Sequence, residues 1–267
     1  MGAAEWSPDG LAASLGRRVG GMDSNEVWDV ETAGAYDTPG AGMFAPDVLG
    51  PVVERLADLS GGGRALEFAI GTGRVGIALS EKGVPVTGIE LSPAMVAQLR
   101  TKVDEATIPV VLGDMATTTA PGKYALVYLV FNTISNLLTQ AEQVSCFRNA
   151  ARHLEPGGCF VVELWVPELP QRPPSQQAIV FTSQTGYIGL DTFDVVSQRV
   201  VSHHFRFGED RGARVFRSDH RYIWPAELDL MAELAGFELE SRHADWRGAE
   251  FNAGSKSQVS VYRVRGG

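Results

Sequence analysis

Residues 64–76 read Arg-Ala-Leu-Glu-Phe-Ala-Ile-Gly-Thr-Gly-Arg-Val-Gly, and the fold follows from how this stretch is parsed. A short apolar strand runs into a glycine turn, and the turn opens a helix expected over residues 74–81. Gly71 and Gly73 carry no Cβ and tolerate positive φ, so a ligand can lie against bare backbone N–H groups at the positive end of that helix. A nucleotide-like ligand is the first expectation, although such a turn also serves as a plain connection between strand and helix.

Two specific readings compete. Gly71-Thr72-Gly73-Arg74-Val75-Gly76 fits the G-x-G-x-x-G pattern of NAD-binding folds, with Glu90 near the distance at which an acid holds a ribose. Against this, Glu67 stands inside the strand, four residues before Gly71, where an acid opposes the approach of a pyrophosphate. With Glu67, Ala69, Gly71 and Gly73, the stretch resembles motif I of the class I S-adenosylmethionine-dependent methyltransferases, acid-x-Gly-x-Gly-x-Gly, with Ala69 in place of the first glycine.

The following segments bear on the choice. Residues 84–89 form a second apolar strand that ends in Glu90, whose carboxylate can accept both hydroxyls of a ribose. Ser92 and Pro93 suffice to start the next helix, which leaves Glu90 free. Gly88 to Met95 resembles motif II of the same family, and the resemblance brings Leu91 and Met95 to the cofactor. A third strand over 109–112 closes with Gly113-Asp114-Met115. An Asp there can accept from an exocyclic amine; a lone Gly-Asp is also a common turn, but at this spacing the resemblance implies an adenine site of Asp114 and Met115.

Residues 124–131 form an apolar run of the kind buried on both faces. Its end, Phe131-Asn132-Thr133-Ile134-Ser135-Asn136-Leu137, lies where strands of open α/β sheets deliver ligand contacts, and resembles motif IV, beside the transferable methyl group. That places Phe131 at the cofactor, and Asn132 and Asn136 at the acceptor or else at the turn's own backbone. A helix over 140–154 and the Pro156-Gly157-Gly158 break precede a fifth strand, 159–166, another recurrent feature of the family. A Tyr-Asp pair ahead of the main domain often folds over the cofactor in this family, which makes Tyr36 a candidate.

The implied architecture is α/β: a Rossmann-like seven-stranded methyltransferase sheet with a small antiparallel β insert after the fifth strand. Residues 1–24 are expected to be a mobile leader, 25–166 an N-terminal cap and cofactor-binding core, 167–224 the insert over the acceptor site, and 225–267 the completion of the core sheet. The insert is read from β-type runs at 178–182, 187–190, 199–207 and 213–224, following four prolines. In character it resembles the small-molecule branch of the family, the sugar amine N-methyltransferases of antibiotic pathways.

The expected activity is transfer of a methyl group from S-adenosylmethionine to N or O of a small metabolite, leaving S-adenosylhomocysteine. An NAD-linked oxidoreductase and a catalytically silent cofactor-binding protein are the alternatives. His220, which adjoins Asp219, is the candidate base among five histidines. Trp165 and Tyr187 are candidate aromatic walls of the acceptor pocket, and Glu163, an acid in an apolar strand, a candidate for holding an amine.

Composition narrows the partners. A net charge of −9 argues against an extended phosphate backbone. Cys146 and Cys159 lack metal-type spacing and suggest a reducing compartment. No segment reaches the apolar length of a membrane span, so a cytoplasmic monomer or homodimer without metal is expected.

Overall fold

The computed structural model describes residues 30–167, 176, 178–208 and 212–265. The expected leader and the first residues of the expected N-terminal cap lie outside the described residues. The chain that follows forms α1 (Val30–Tyr36), α2 (Pro46–Ser60), β1 (Ala65–Phe68), α3 (Arg74–Glu81), β2 (Val86–Glu90), α4 (Pro93–Arg100), β3 (Val110–Leu112) and β4 (Tyr124–Leu129). It continues through α5 (Gln140–His153) and β5 (Leu154–Trp165) to four further strands, β6 (Ala178–Gln184), β7 (Tyr187–Asp194), β8 (Arg199–Phe207) and β9 (Ala213–Arg221). The last elements are α6 (Pro225–Leu234), β10 (Phe237–His243) and β11 (Ser257–Val264).

Seven strands form one sheet in the order β10-β11-β5-β4-β1-β2-β3. Neighbours from β5 to β3 run parallel, and β11 runs antiparallel to both β5 and β10. Every residue of β1 and β2 is buried, as expected of parallel strands covered on both faces. One apolar layer joins Val52, Val53 and Leu56 of α2 to Leu79, Leu99 and Val161, and the other joins Phe147 of α5 to Phe68, Phe160 and Phe237.

The strand order reverses between β1 and β4, so the chain segments leaving those two strands diverge and open a crevice at the carboxyl edge of the sheet. The helices that border it begin as the sequence suggests. Ser92 caps α4 by accepting from the Met95 N–H at 3.2 Å, with Pro93 at the first helical position. Thr139 and Glu142 form a reciprocal capping box at the start of α5.

The sequence pattern did not indicate Pro51, which sits inside α2 and deprives the Asp47 carbonyl of its helical donor. The Arg247 guanidinium donates to that carbonyl at 2.7 Å, which repairs the ladder from a loop two hundred residues away.

β6 to β9 form the separate antiparallel sheet expected after the fifth strand, in simple sequential order. Its attachment to the core is a buried polar cluster. Arg221, 4% exposed, donates to Gln143 of α5 at 2.6 Å, to Gln198 before β8 at 2.9 Å and to Glu227 of α6 at 2.7 Å. Gln198 and Gln140 also donate to Glu227, and Gln143 donates to the Leu137 carbonyl. Each donor thus has an acceptor, the condition under which a buried charge is tolerated.

Candidate active site

A cavity of about 430 Å³ occupies the crevice, a size ordinary for a small-molecule site. Ala69, Gly71, Glu90, Met95 and Tyr36 line one part, the loop Phe131–Asn136 and Trp165 the middle, and Asp191, Val200, Ser202 and His220 of the small sheet the remainder. The core sheet and the insert therefore share one chamber.

The first part is built by the glycine turn. Ala69 has φ +52°, Gly71 +58° and Gly73 +86°, so the chain leaves β1 through left-handed backbone. Gly73 also permits close packing, because a Cβ there would lie 2.2 Å from Leu99. Glu90, 6% exposed, accepts from the Gly71 N–H and the Ser92 N–H, each at 2.8 Å and each on a different oxygen. Burial raises its pKa, and the two backbone donors oppose that shift. The carboxylate fastens the turn after β1 to the end of β2 while facing the cavity.

Glu67 lies behind the cavity wall rather than in it. Its carboxyl accepts from the Tyr128 hydroxyl at 2.9 Å and sits so close under Gly76 that a Cβ there would be 2.7 Å from it. Burial pushes its pKa up to about 8, the Tyr128 hydrogen bond opposing. Gly76, the last glycine of the dinucleotide-like pattern, thus makes room for an acid. A pyrophosphate in the turn would meet the Glu90 carboxylate, with Glu67 buried behind the wall.

Tyr36 reaches the cavity because Asp37 is anchored. The Thr72 hydroxyl and the Lys102 ammonium both donate to Asp37 at 2.5 Å, which draws the end of α1 over the glycine turn. Leu91, Asp114 and Met115 stand outside the cavity lining, beyond its Glu90 end. The Gly113 N–H donates to the Glu90 carbonyl and so sets the end of β3 beside that of β2. Asp114 accepts from the Ala116 N–H at 2.7 Å, a turn contact; Met115 is buried and Leu91 exposed.

The middle part bends sharply. Phe131 and Asn132 have φ +55° and +61°, two successive non-glycine residues in left-handed conformation. Glu163 accepts from the Phe131 N–H at 2.7 Å, and the Asn132 side chain accepts from the Trp165 N–H at 2.7 Å. These side chains brace the loop: Glu163 holds backbone through one carboxylate oxygen, and the Asn132 carbonyl is committed to β5. Asn136 is different: its Oδ1 accepts from His220 Nδ1 at 3.1 Å.

That contact corrects the reason for choosing His220. Asp219 is its sequence neighbour but points to the other face of β9, where it pairs with Arg199 at 3.2 Å. The ring is oriented instead by Asn136 and by the Ser218 hydroxyl, 3.0 Å from Nε2. Burial is the largest influence on its pKa and lowers it, so the ring is neutral at pH 7. With Nδ1–H donating to Asn136, Nε2 carries the lone pair.

The sequence reading missed Thr133, Ser135, Asp191, Val200 and Ser202 as lining residues. Asp191 accepts from the Ser202 hydroxyl at 2.6 Å, and burial raises its pKa. Tyr187 is not part of the lining. Its hydroxyl meets His204 at 2.6 Å, farther out on the same face of the small sheet. Trp165 does line the chamber and packs near Tyr222.

Cys146 and Cys159 are free and buried. Among the described residues, no group of three or more His, Cys, Asp or Glu side chains could hold a metal ion, and no helix is long and apolar enough to cross a membrane.

Residues 65–158 match the family model described as a methyltransferase domain. The solved structure of the CcbJ methyltransferase from Streptomyces caelestis superposes with a TM-score of 0.77 at 34% identity, over 88% of this chain and 95% of that one. A cypemycin N-terminal methyltransferase from a Streptomyces species is 27% identical over 90% of this chain and 98% of its own length. A dTDP-3-amino-3,4,6-trideoxy-alpha-D-glucopyranose N,N-dimethyltransferase from Streptomyces venezuelae is 30% identical over 52% of this chain and 59% of its own.

Proposed function

Since this chain belongs to the class I S-adenosylmethionine-dependent methyltransferases, we propose that it methylates an amine nitrogen of a small natural product, with the acceptor held by the antiparallel insert. The observation that carries this reading is the shared chamber: Glu90 and the glycine turn at one end, Asp191 and His220 at the other.

S-adenosylmethionine suits the first part on the chemistry of its donors and acceptors. Glu90 faces the cavity with both oxygens already oriented by backbone N–H groups, so further donors such as ribose hydroxyls find a fixed acceptor. Glu90 faces the cavity beside the turn and already takes the Gly71 N–H that a pyrophosphate would need, which is the physical ground for setting NAD aside. Leu91, Asp114 and Met115, at the neighbouring strand ends, are assigned to the adenine. Gly71 and Gly73 shape the turn, and Met95, Phe131 and Tyr36, which line the cavity, would border the bound cofactor. Glu67 acts indirectly, by holding Gly76.

When bound, S-adenosylmethionine supplies a methyl group on a sulfonium centre, an electrophile that needs alignment more than activation. The protein's own part is then to present a neutral amine. Asp191, steadied by the Ser202 hydroxyl, attracts the acceptor ammonium and fixes its position. His220 Nε2 takes the amine proton, while Asn136 holds the other ring nitrogen and so the tautomer. Trp165 gives the chamber an aromatic wall.

Amine rather than hydroxyl acceptors are favoured because Asp191 offers a negative partner to an ammonium and nothing to an alcohol beyond a hydrogen bond. The names of the relatives, an N-terminal and an amino-sugar N-methyltransferase, point the same way. We divide the labour as a cofactor core over 25–166, an acceptor insert over 167–224 and a completing segment over 225–267, and assign the work to the cytoplasm, where two buried free thiols are at home.

Calorimetric titration with S-adenosylmethionine, S-adenosylhomocysteine and NAD, followed by a mass-resolved screen of amine and matched alcohol acceptors, tests the reading. Binding of the two sulfur nucleotides with a gain of one methyl mass on amines supports it. Turnover confined to alcohols overturns the acceptor assignment.

A further inference from the structure

The chamber accounts for only half of the insert face that borders it. Register places Asp191, Ser202 and Ser218 side by side across β7, β8 and β9, and the next pairs along that face are Gly189, His204 and Phe216. Beyond them come Tyr187, Arg206 and Arg214. Each row lies two residues from the last, a step of about 7 Å along the strands. Polar cavity side chains are thus followed by an aromatic row on the same surface.

The aromatic row is ordered. His204 and Phe216 stack with ring centroids 4.3 Å apart and planes 4° from parallel, and Tyr187 stacks on His204 at 6.0 Å and 9°. Arg206 lies over both the Tyr187 and the Phe216 ring, at 5.9 and 5.6 Å. The pairing of β6 with β7 shifts register between Val180 and Thr182, and Phe181 sits at that irregularity with its ring over Gly189. A Cβ at Gly189 would fall 2.2 Å from that ring, so the glycine is what lets Phe181 close over the row. Phe181 and Phe216 nevertheless remain 46% and 39% exposed. Stacked rings continuous with a reaction chamber, and still open to solvent, form a surface fit for another flat ring.

Taking the amine-methylation reading as its premise, we infer that the row Phe181–His204–Phe216 is a second acceptor subsite, which binds a flat aromatic group of the acceptor about 7 Å beyond the methylated nitrogen. The occupant is the acceptor's own distal part, because the surface runs without change of face into Asp191 and Ser202. The subsite selects extended arylalkyl amines over compact ones. Tyr187, outside the chamber, belongs to this subsite.

Phenylbutylamine and cyclohexylbutylamine, with S-adenosylhomocysteine present, are the probes. They share the amine and the reach and differ in the flat ring. Calorimetry on the full chain is expected to show tighter binding of the phenyl compound, and Phe216→Ala to remove about tenfold of its affinity while leaving that of cyclohexylbutylamine and of S-adenosylhomocysteine unchanged. Phe181→Leu gives an independent variant at the opposite end of the row. Equal affinity for the two amines, or binding of neither, overturns the subsite. A change of sedimentation mass in Phe216→Ala with unchanged amine affinity also overturns it, in favour of an interface between copies. Failure of the amine-methylation reading is seen separately, as the absence of a methyl mass gain on any amine.

Discussion

Glu90 carries two tasks with one carboxylate, and they separate on mutation. Its inner lone pairs fasten Gly71 and Ser92, and its exposed edge faces the chamber. Glu90→Ala is expected to weaken S-adenosylmethionine by more than about tenfold, the loss of a charge-assisted pair of contacts, as read by titration calorimetry. Glu90→Gln keeps one acceptor and should fall between the two. At His220 the sign follows from burial. Its folded pKa lies below the ordinary value near 6.5, so the neutral base persists under mild acid and kcat/KM falls only at a pH below that value. The same depression means that protonation favours the unfolded chain, and the contribution of this group to stability declines as pH drops through 6.5. In His220→Gln the acidic limb of the kcat/KM profile assigned to this ring should vanish, with S-adenosylmethionine affinity retained. Survival of that limb would assign the proton to another group.

Among the elements, the loop between β4 and α5 is tightly constrained, with Phe131 and Asn132 both in left-handed backbone. Asn132 is one of the few residue types that accepts such φ readily, and its side chain anchors β5. Asn132→Ala should therefore cost about 2 kcal/mol, from the lost hydrogen bond to the Trp165 N–H and the added strain, measured by urea denaturation. The glycine turn, Ser92 and Glu90 were legible in the sequence because strand, turn and cap chemistry is set by neighbours within a few residues. Asn132 was left between two roles, since its partner lies thirty-three residues away. Asp191 was missed because its place in the chamber depends on the register of β7 against β8 and on where the whole insert sits. Asp219 misled because adjacency in a strand means opposite faces. An isolated acid within the apolar run 187–193 was the one available sign of Asp191.

At the scale of the molecule, the order of strands and helices followed from alternation, turns and motif spacing. The union of insert and core did not, for it rests on the Arg221 cluster, whose members come from four separate segments. Arg221→Ala leaves Glu227 and two glutamine amides short of partners in a buried place and should cost about 3 kcal/mol in chemical denaturation. Its effect on activity is expected to be one-sided, with the KM for the amine acceptor rising far more than the Kd for S-adenosylmethionine. Equal losses would mean that the cluster supports the entire fold.

The same cluster has a bearing on how such a protein diversifies. The cofactor end is made largely of backbone geometry and a few acids, which tolerate little change. The acceptor end is a row of side chains on a sheet joined to the core by that polar knot and by the His220–Asn136 contact. Strand-facing residues on that sheet are therefore free to drift towards new metabolites without disturbing the methyl donor, provided that the knot travels intact. A chimera that carries the insert of a relative should inherit that relative's substrate preference only when Gln143, Gln198, Arg221 and Glu227 are preserved as a set.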